Sequence, residues 1–257
     1  MALGKVYFLG AGPGDPELIT LKGCSLLKKA DVILYTGSLI SPEMLNYART
    51  DVVLHDSAEM VLEEIVDIMV TGVRANQMVV RLHSGDPCIF GTLSEQMQEL
   101  DRQGIEYEVI PGVSSAFAAA AFLKAELTVP EVSQTVIFTR IEGKTKMPER
   151  EDLARLASHH ATLVIFLSTQ YIDRVVSELC KEYPVDTPVA VVQKVSWPNQ
   201  KVVRGTLADI VKKVQEAKIV WTAVIIVGEV LREGTEKPKS RLYDKSFAHG
   251  YRERKES

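Results

Sequence analysis

Short apolar runs alternate with stretches of helical period through the first half of the chain. Val6-Tyr7-Phe8-Leu9, Val32-Ile33-Leu34-Tyr35, Val52-Val53-Leu54, Met78-Val79-Val80 with Leu82, and Tyr107-Glu108-Val109-Ile110 read as strands. Their β-branched, aliphatic and aromatic residues fit a pleated surface covered on both faces. Between them, Thr20 is placed to cap a helix that ends by Asp31 and turns Leu21, Cys24, Leu26 and Leu27 toward the core. Val61, Ile65, Ile68, Met69 and Val73 recur with helical spacing over 60–75. Leu93–Arg102 reads as a helix closed by Gly104, and an alanine-rich helix runs from Ala116 to Lys124. Such alternation predicts an α/β unit with a mostly parallel sheet.

Near Leu127-Thr128-Val129-Pro130 the pattern changes. Strands are expected at 135–139, 162–167, 189–195, 201–204 and 223–227, and helices near 152–157, 172–183 and 207–217. The later strands are joined by short turns such as Ser196-Trp197-Pro198-Asn199-Gln200, which favours an antiparallel or mixed sheet. The predicted fold class is therefore α/β, in two domains at 1–114 and 115–231. A charged tail follows at 232–257, with Tyr243, Phe247 and Tyr251 able to dock it on the body.

Composition narrows the partners. A net charge of −4 argues against a generic binder of nucleic acid, which usually shows a basic face. No apolar stretch reaches the roughly 20 residues of a membrane span, and no signal-peptide pattern opens the chain, so a cytoplasmic protein is expected. Cys24, Cys88 and Cys180 form no CxxC pair and are expected as reduced packing residues. The adjacent His159-His160 point about 100° apart on a helix and read as a solvated pair, and Glu63-Glu64 as a solvated face. Neither GxSxG nor HExxH occurs, so no metal site and no hydrolytic machinery is expected.

Chemistry concentrates instead in loops that follow strands. Gly10-Ala11-Gly12-Pro13-Gly14-Asp15-Pro16 lacks the spacing of the dinucleotide fingerprint, and Pro13 removes an N–H that could hold phosphate. Met78–Leu82 stops in Ser84-Gly85-Asp86-Pro87, where open α/β sheets bind ligands beyond the carboxyl ends of their strands. A tight turn that needs Gly and Pro for geometry alone is the plain alternative. Pro111-Gly112-Val113-Ser114-Ser115 opens the alanine-rich helix, so Ser114 or Ser115 can cap it, touch a ligand, or do both. Thr36-Gly37-Ser38, Leu167-Ser168 and Trp197-Pro198 are further small-residue or proline-bearing loops. The set implies backbone contacts to a flat or polar ligand in a cleft, as in a transferase that positions two reactants.

Taken together, 10–23, Ser84-Gly85-Asp86-Pro87 and Pro111-Gly112-Val113-Ser114-Ser115 resemble the tetrapyrrole (corrin/porphyrin) methylases over about 5–231. Within that family, Tyr35-Thr36-Gly37-Ser38-Leu39-Ile40-Ser41-Pro42, 81–87, 127–143 and the tail at 240–251 are most similar to the enzymes that methylate carbon 11 of precorrin-4 or its cobalt complex. The resemblance implies two α/β domains in a homodimer, with S-adenosylmethionine held in the cleft between the domains and released as S-adenosylhomocysteine. Carried over by position, Pro13, Ser84, Gly85, Asp86, Ile89, Ser114, Ser115, Leu167, Val195, Thr222 and Ala223 would contact that cofactor. Ser38, Arg81, His83 and Arg140 would face a macrocycle bearing many carboxylates, to which arginine is suited. For Arg81 a structural ion pair is an equal alternative, and His83 is a packing residue or a substrate contact. Family members that act on uroporphyrinogen carry an acid in the loop after the second strand, where this chain reads Thr36-Gly37-Ser38. That departure argues against uroporphyrinogen and leaves the proton acceptor unassigned. Asp86 is the candidate catalytic carboxylate, or it only orients the cofactor.

Overall fold

The computed structural model describes residues 4–234, 238–240, 242, 247–248 and 250–251. The chain divides into two units, one of residues 1–119 with Lys194–Gln200, the other of 120–193 with 201–257.

In the first unit, β1 (Val6–Gly10), α1 (Leu21–Leu27), β2 (Val32–Tyr35), β3 (Val53–Asp56), α2 (Leu62–Arg74), β4 (Val79–His83), α3 (Leu93–Arg102) and β5 (Tyr107–Ile110) follow one another. The strands lie in the order β3-β2-β4-β1-β5, and every pairing is parallel. Alternation along the strands divides the core between the two faces of the sheet. Val6, Phe8, Val32, Leu34 and Val79 pack with Met69 of α2 and Leu100 of α3. Leu9, Ile33, Val80, Leu82 and Ile110 pack with Leu27 of α1. Because all strands run the same way, the loops after β1, β2, β3, β4 and β5 emerge at one edge.

From there α4 (Ser115–Leu123) leads into the second unit. It contains β6 (Val136–Arg140), α5 (Leu153–Ala157), β7 (Thr162–Phe166), α6 (Ile172–Leu179), β8 (Pro188–Gln193), β9 (Lys201–Thr206), α7 (Ile210–Glu216) and β10 (Ala223–Val227). Its sheet runs β6-β7-β10-β8-β9, with β6 and β7 parallel and the other pairs antiparallel. Mixed pairing follows from the short β8–β9 connection, which leaves no room for a crossover helix.

Two expectations need correction. Leu21 is 92% exposed, because α1 buries Gly23 and Leu27, four residues apart, and Leu21 lies about 200° round the helix from Gly23. Cys88 and Cys180 are exposed free thiols, one in the loop after β4 and one at the end of α6, so neither packs a core. Of the tail residues expected to dock, Tyr243 lies outside the described residues, and Phe247 and Tyr251 lie within them.

Candidate functional site

Three strand-end loops of the first unit meet backbone to backbone. Ala11 donates its N–H to the His83 carbonyl at 2.8 Å, extending β1 against β4 into the loops. Gly12 and Gly85 then exchange both backbone hydrogen bonds, at 3.2 and 2.8 Å, in an isolated antiparallel bridge. Both take left-handed backbone, φ +79° and +64°, which glycine adopts without steric cost. The loop after β5 closes on the same point. A Cβ on Gly10 would lie 2.6 Å from the Cα of Gly112, and a Cβ on Gly112 would overlap the Gly85 carbonyl. Asp86 ties this junction together: Oδ1 accepts from the Cys88 N–H at 2.8 Å, and Oδ2 from the Gly112 N–H at 2.9 Å. With each carboxylate oxygen held by a backbone N–H, Asp86 acts here as a brace between two loops.

The glycine-rich loop has a second support that the sequence did not disclose. Trp197 donates its indole N–H to the Pro13 carbonyl at 3.0 Å, and Ser196 Oγ accepts the Asp15 N–H at 2.9 Å. A Cβ on Gly14 would overlap the indole ring. Lys194 lies over the opposite partner of this contact, its ammonium 5.1 Å from the Trp197 ring centroid. Aromatic residues in a turn are a weak signal, and nothing local pairs 194–200 with a loop more than 180 residues earlier.

Other predicted residues fall into distinct environments. Ser114 is buried and caps α4, its Oγ accepting the Ala116 N–H at 3.3 Å, while Ser115 is the first residue of that helix. Ser84 and Ser38 are exposed, Pro13 is buried, and Ile89 is half-buried with its N–H on the Asp86 carbonyl at 3.2 Å. Leu167 and Thr222 both have positive φ, 53° and 54°, unusual for residues with side chains. Leu167 follows β7 and Thr222-Ala223 opens its antiparallel neighbour β10, so the three gather at one end of the second sheet. Val195 is buried in the 194–200 segment.

Arg81 and His83 project from one face of β4 into the interior. Arg81 is 6% exposed and donates to Ser57 Oγ at 2.9 Å and Gln96 Oε1 at 3.2 Å. Among the described residues no carboxylate pairs with it, so the alternative of a structural ion pair is not what holds it; its partners are neutral. Burial pulls the guanidinium down to about 10, still charged at neutral pH. His83 is 8% exposed, packs against the Phe8 ring at 5.9 Å between centroids, and its Nε2 has no partner among the described residues. Burial, with the nearby Arg81 charge, pushes its imidazole down to about 3. A neutral imidazole carries one ring N–H and no charge, so any contact it makes with a carboxylate is a hydrogen bond and not an ion pair. Arg140 lies in the other unit and gives its guanidinium to the carbonyls of Ile141, Thr145 and Lys146, organising its own loop.

These loops suit a cationic donor. Within 10–16, 84–91 and 111–115 the charged side chains are Asp15 and Asp86, which attract a sulfonium and repel a phosphate. A Cβ at Gly85 would meet nothing nearer than 3.7 Å, ordinary van der Waals contact with the backbone of the 111–115 loop. The backbone junction gives rigid placement, the main demand of a transfer that needs reactants in line. Among the described residues no group of His, Cys, Asp and Glu forms a metal site.

Gly112→Ala should therefore lower S-adenosylhomocysteine affinity and the melting temperature together, since its methyl meets backbone that cannot yield. Gly85→Ala has space and should cost only about 1 kcal/mol of backbone strain. Calorimetry and thermal melts on both variants check that order. Trp197→Phe keeps the ring and loses the indole N–H, so donor affinity should weaken several-fold with little loss of stability. For His83, the unfolded chain takes up its proton near pH 6.5 and the folded chain near 3. Between those values the unfolded state holds more protons, so stability is lost as pH falls, by up to about 1.4 kcal/mol per pH unit. Melts of wild type and His83→Leu should show the steeper decline in the wild type; parallel slopes would refute it.

The family profile of the Tetrapyrrole (Corrin/Porphyrin) Methylases matches residues 5–211. A Methanocaldococcus jannaschii protein named cobalt-precorrin-4 C(11)-methyltransferase is 55% identical over 253 residues, covering 96% of each chain. The X-ray structure of a cobalamin biosynthetic enzyme, cobalt precorrin-4 methyltransferase, superposes with a TM-score of 0.87 at 45% identity, covering 89% of this chain and 96% of that one. A Thermus thermophilus uroporphyrin-III C-methyltransferase complexed with S-adenosylhomocysteine superposes with a TM-score of 0.74 at 32% identity, covering 91% and 96%. With its paired α/β sheets and its glycine-bearing strand-end loops, the chain belongs to the tetrapyrrole (corrin/porphyrin) methylases.

Proposed function

We propose that this protein transfers a methyl group from S-adenosylmethionine to carbon 11 of precorrin-4 or its cobalt complex, giving the corresponding precorrin-5 in cobalamin biosynthesis. The observation that carries this reading is the 55% identity, over 96% of each chain, with a relative named for that reaction. The loop chemistry supports it: a backbone junction with carboxylates and no cation fits a sulfonium donor. When bound, S-adenosylmethionine supplies an electrophilic methyl group on a sulfonium.

The residues divide the work. Pro13, Ser84, Gly85, Asp86, Ile89, Ser114 and Ser115 form the donor side of the first unit. Asp86 braces the two loops on which most of them sit. Val195 lies in the segment that carries Trp197, and Leu167, Thr222 and Ala223 are assigned to the same donor from the second unit. Ser38, exposed after β2, is placed to meet the macrocycle. Any cobalt arrives within the ring as part of the substrate. The same reading takes the working form as a cytoplasmic homodimer; sedimentation of the purified protein tests the dimer, and cell fractionation the compartment.

Incubation with methyl-labelled S-adenosylmethionine and precorrin-4, metal-free and cobalt-loaded, is the direct experiment. The label should appear on carbon 11 by NMR, with one S-adenosylhomocysteine formed per methyl transferred. Label at another ring carbon, or turnover of uroporphyrinogen III alone, would assign the chain to a sister reaction; ligand binding without label transfer would make it a binding module.

A further inference from the structure

We propose that Asp56 accepts the proton that leaves the macrocycle when carbon 11 is methylated; this rests on the methyltransferase reading above. Sheet order isolates the place where such a group is needed. The donor loops follow β4, β1 and β5, three adjacent strands, which leaves the loops after β2 and β3 for the other reactant. The first residues after β2, Thr36-Gly37-Ser38, carry no ionisable side chain. Asp56, at the end of the neighbouring β3, reaches into it.

The contact is specific. Oδ1 of Asp56 accepts the Gly37 N–H at 2.9 Å and the Ala58 N–H at 3.0 Å. Oδ2 stands where a side chain on residue 37 would begin, because a Cβ built on Gly37 overlaps it. The carboxylate thus fills the position that glycine vacates. One oxygen is pinned by two backbone donors, and the other accepts no hydrogen bond among the described residues and is open to solvent on an exposed side chain. The adjoining Ser57 fixes the backbone behind it. Its Oγ lies 3.1 Å from the Tyr35 carbonyl and 3.2 Å from Thr36 Oγ1, and receives the buried Arg81 guanidinium. A carboxylate held on a fixed loop with one unoccupied oxygen is a good geometry for proton transfer.

The two carboxylates of the donor loops are less suited. Asp86 has both oxygens on backbone N–H groups. Asp15 lies in the donor loop, and its Oδ1 accepts the Glu17 N–H at 2.9 Å. The step balances without a further reactant. An electron pair of the ring forms the new carbon–carbon bond, and the carbon–sulfur pair stays on sulfur, which becomes a neutral thioether. The ring, now carrying the positive charge, releases one proton to Asp56 Oδ2, and water then takes it away.

Asp56→Asn separates this role from support of the loop. Asparagine keeps an oxygen for the Gly37 and Ala58 N–H groups but cannot take a proton. The expected result is an unchanged melting temperature, S-adenosylhomocysteine affinity and donor KM, with kcat lower by roughly 10²–10⁴-fold. Moving the carboxylate gives a second measure. Asp56→Ala should be as slow, and adding Gly37→Asp in that background should recover a large part of kcat, since the overlap with Asp56 is gone. A kcat for Asp56→Asn within about threefold of an active wild type would overturn the assignment while leaving the methyltransferase reading intact. So would a loss explained wholly by donor affinity or stability, or a collapse in Asp15→Asn alone. A wild type that fails to methylate precorrin-4 would overturn the parent reading and this one with it.

Discussion

Everything at the ligand edge of the first sheet depends on backbone packed directly against backbone. Gly10, Gly12, Gly85 and Gly112 bring the loops after β1, β4 and β5 so close that Gly10 and Gly112 exclude a Cβ, and Gly12 and Gly85 take left-handed backbone. Such contact positions carbonyls and N–H groups far more tightly than side chains can, because no rotamer intervenes. Asp86 completes it by joining two of these loops through charge-assisted hydrogen bonds, the stronger class of such bonds. A reaction that relies on alignment more than on acid–base strength needs this kind of rigidity.

Beneath that edge lies a polar network rather than an apolar plug. Arg81 links Ser57 at the end of β3 to Gln96 on α3, and Gln96 in turn donates to the Thr92 carbonyl at 3.2 Å. Burying a cation among neutral partners is costly. The arrangement ties the loops after β3 and β4 to one side chain, so that both share a single internal reference. His83 beside it stays neutral and fills space against Phe8.

Much of the fold was legible along the chain. β2, β5, α3 and β10 fall at the expected residues, and the others within a few residues of their predicted bounds. The reason is local: buried strands of a parallel sheet are continuous apolar runs, and helices show a 3.6-residue period. Where packing around a helix decides the outcome, as for Leu21 on α1, a local pattern points the wrong way. The site was legible in part. Glycine, proline and aspartate in ordered motifs marked the three loops that meet at the backbone junction, because only a few residue types suit such turns.

What the sequence by itself determined is the alternation of elements, the parallel first sheet with its mixed partner, and the motifs that mark the family. Tertiary structure alone decided which distant residues stand together. Trp197 meets Pro13, Asp56 meets Gly37, and Arg81 turns inward to Ser57 and Gln96 instead of outward. Such meetings are set by strand order and by the packing of one loop on another, and neither leaves a periodic trace in the residues concerned.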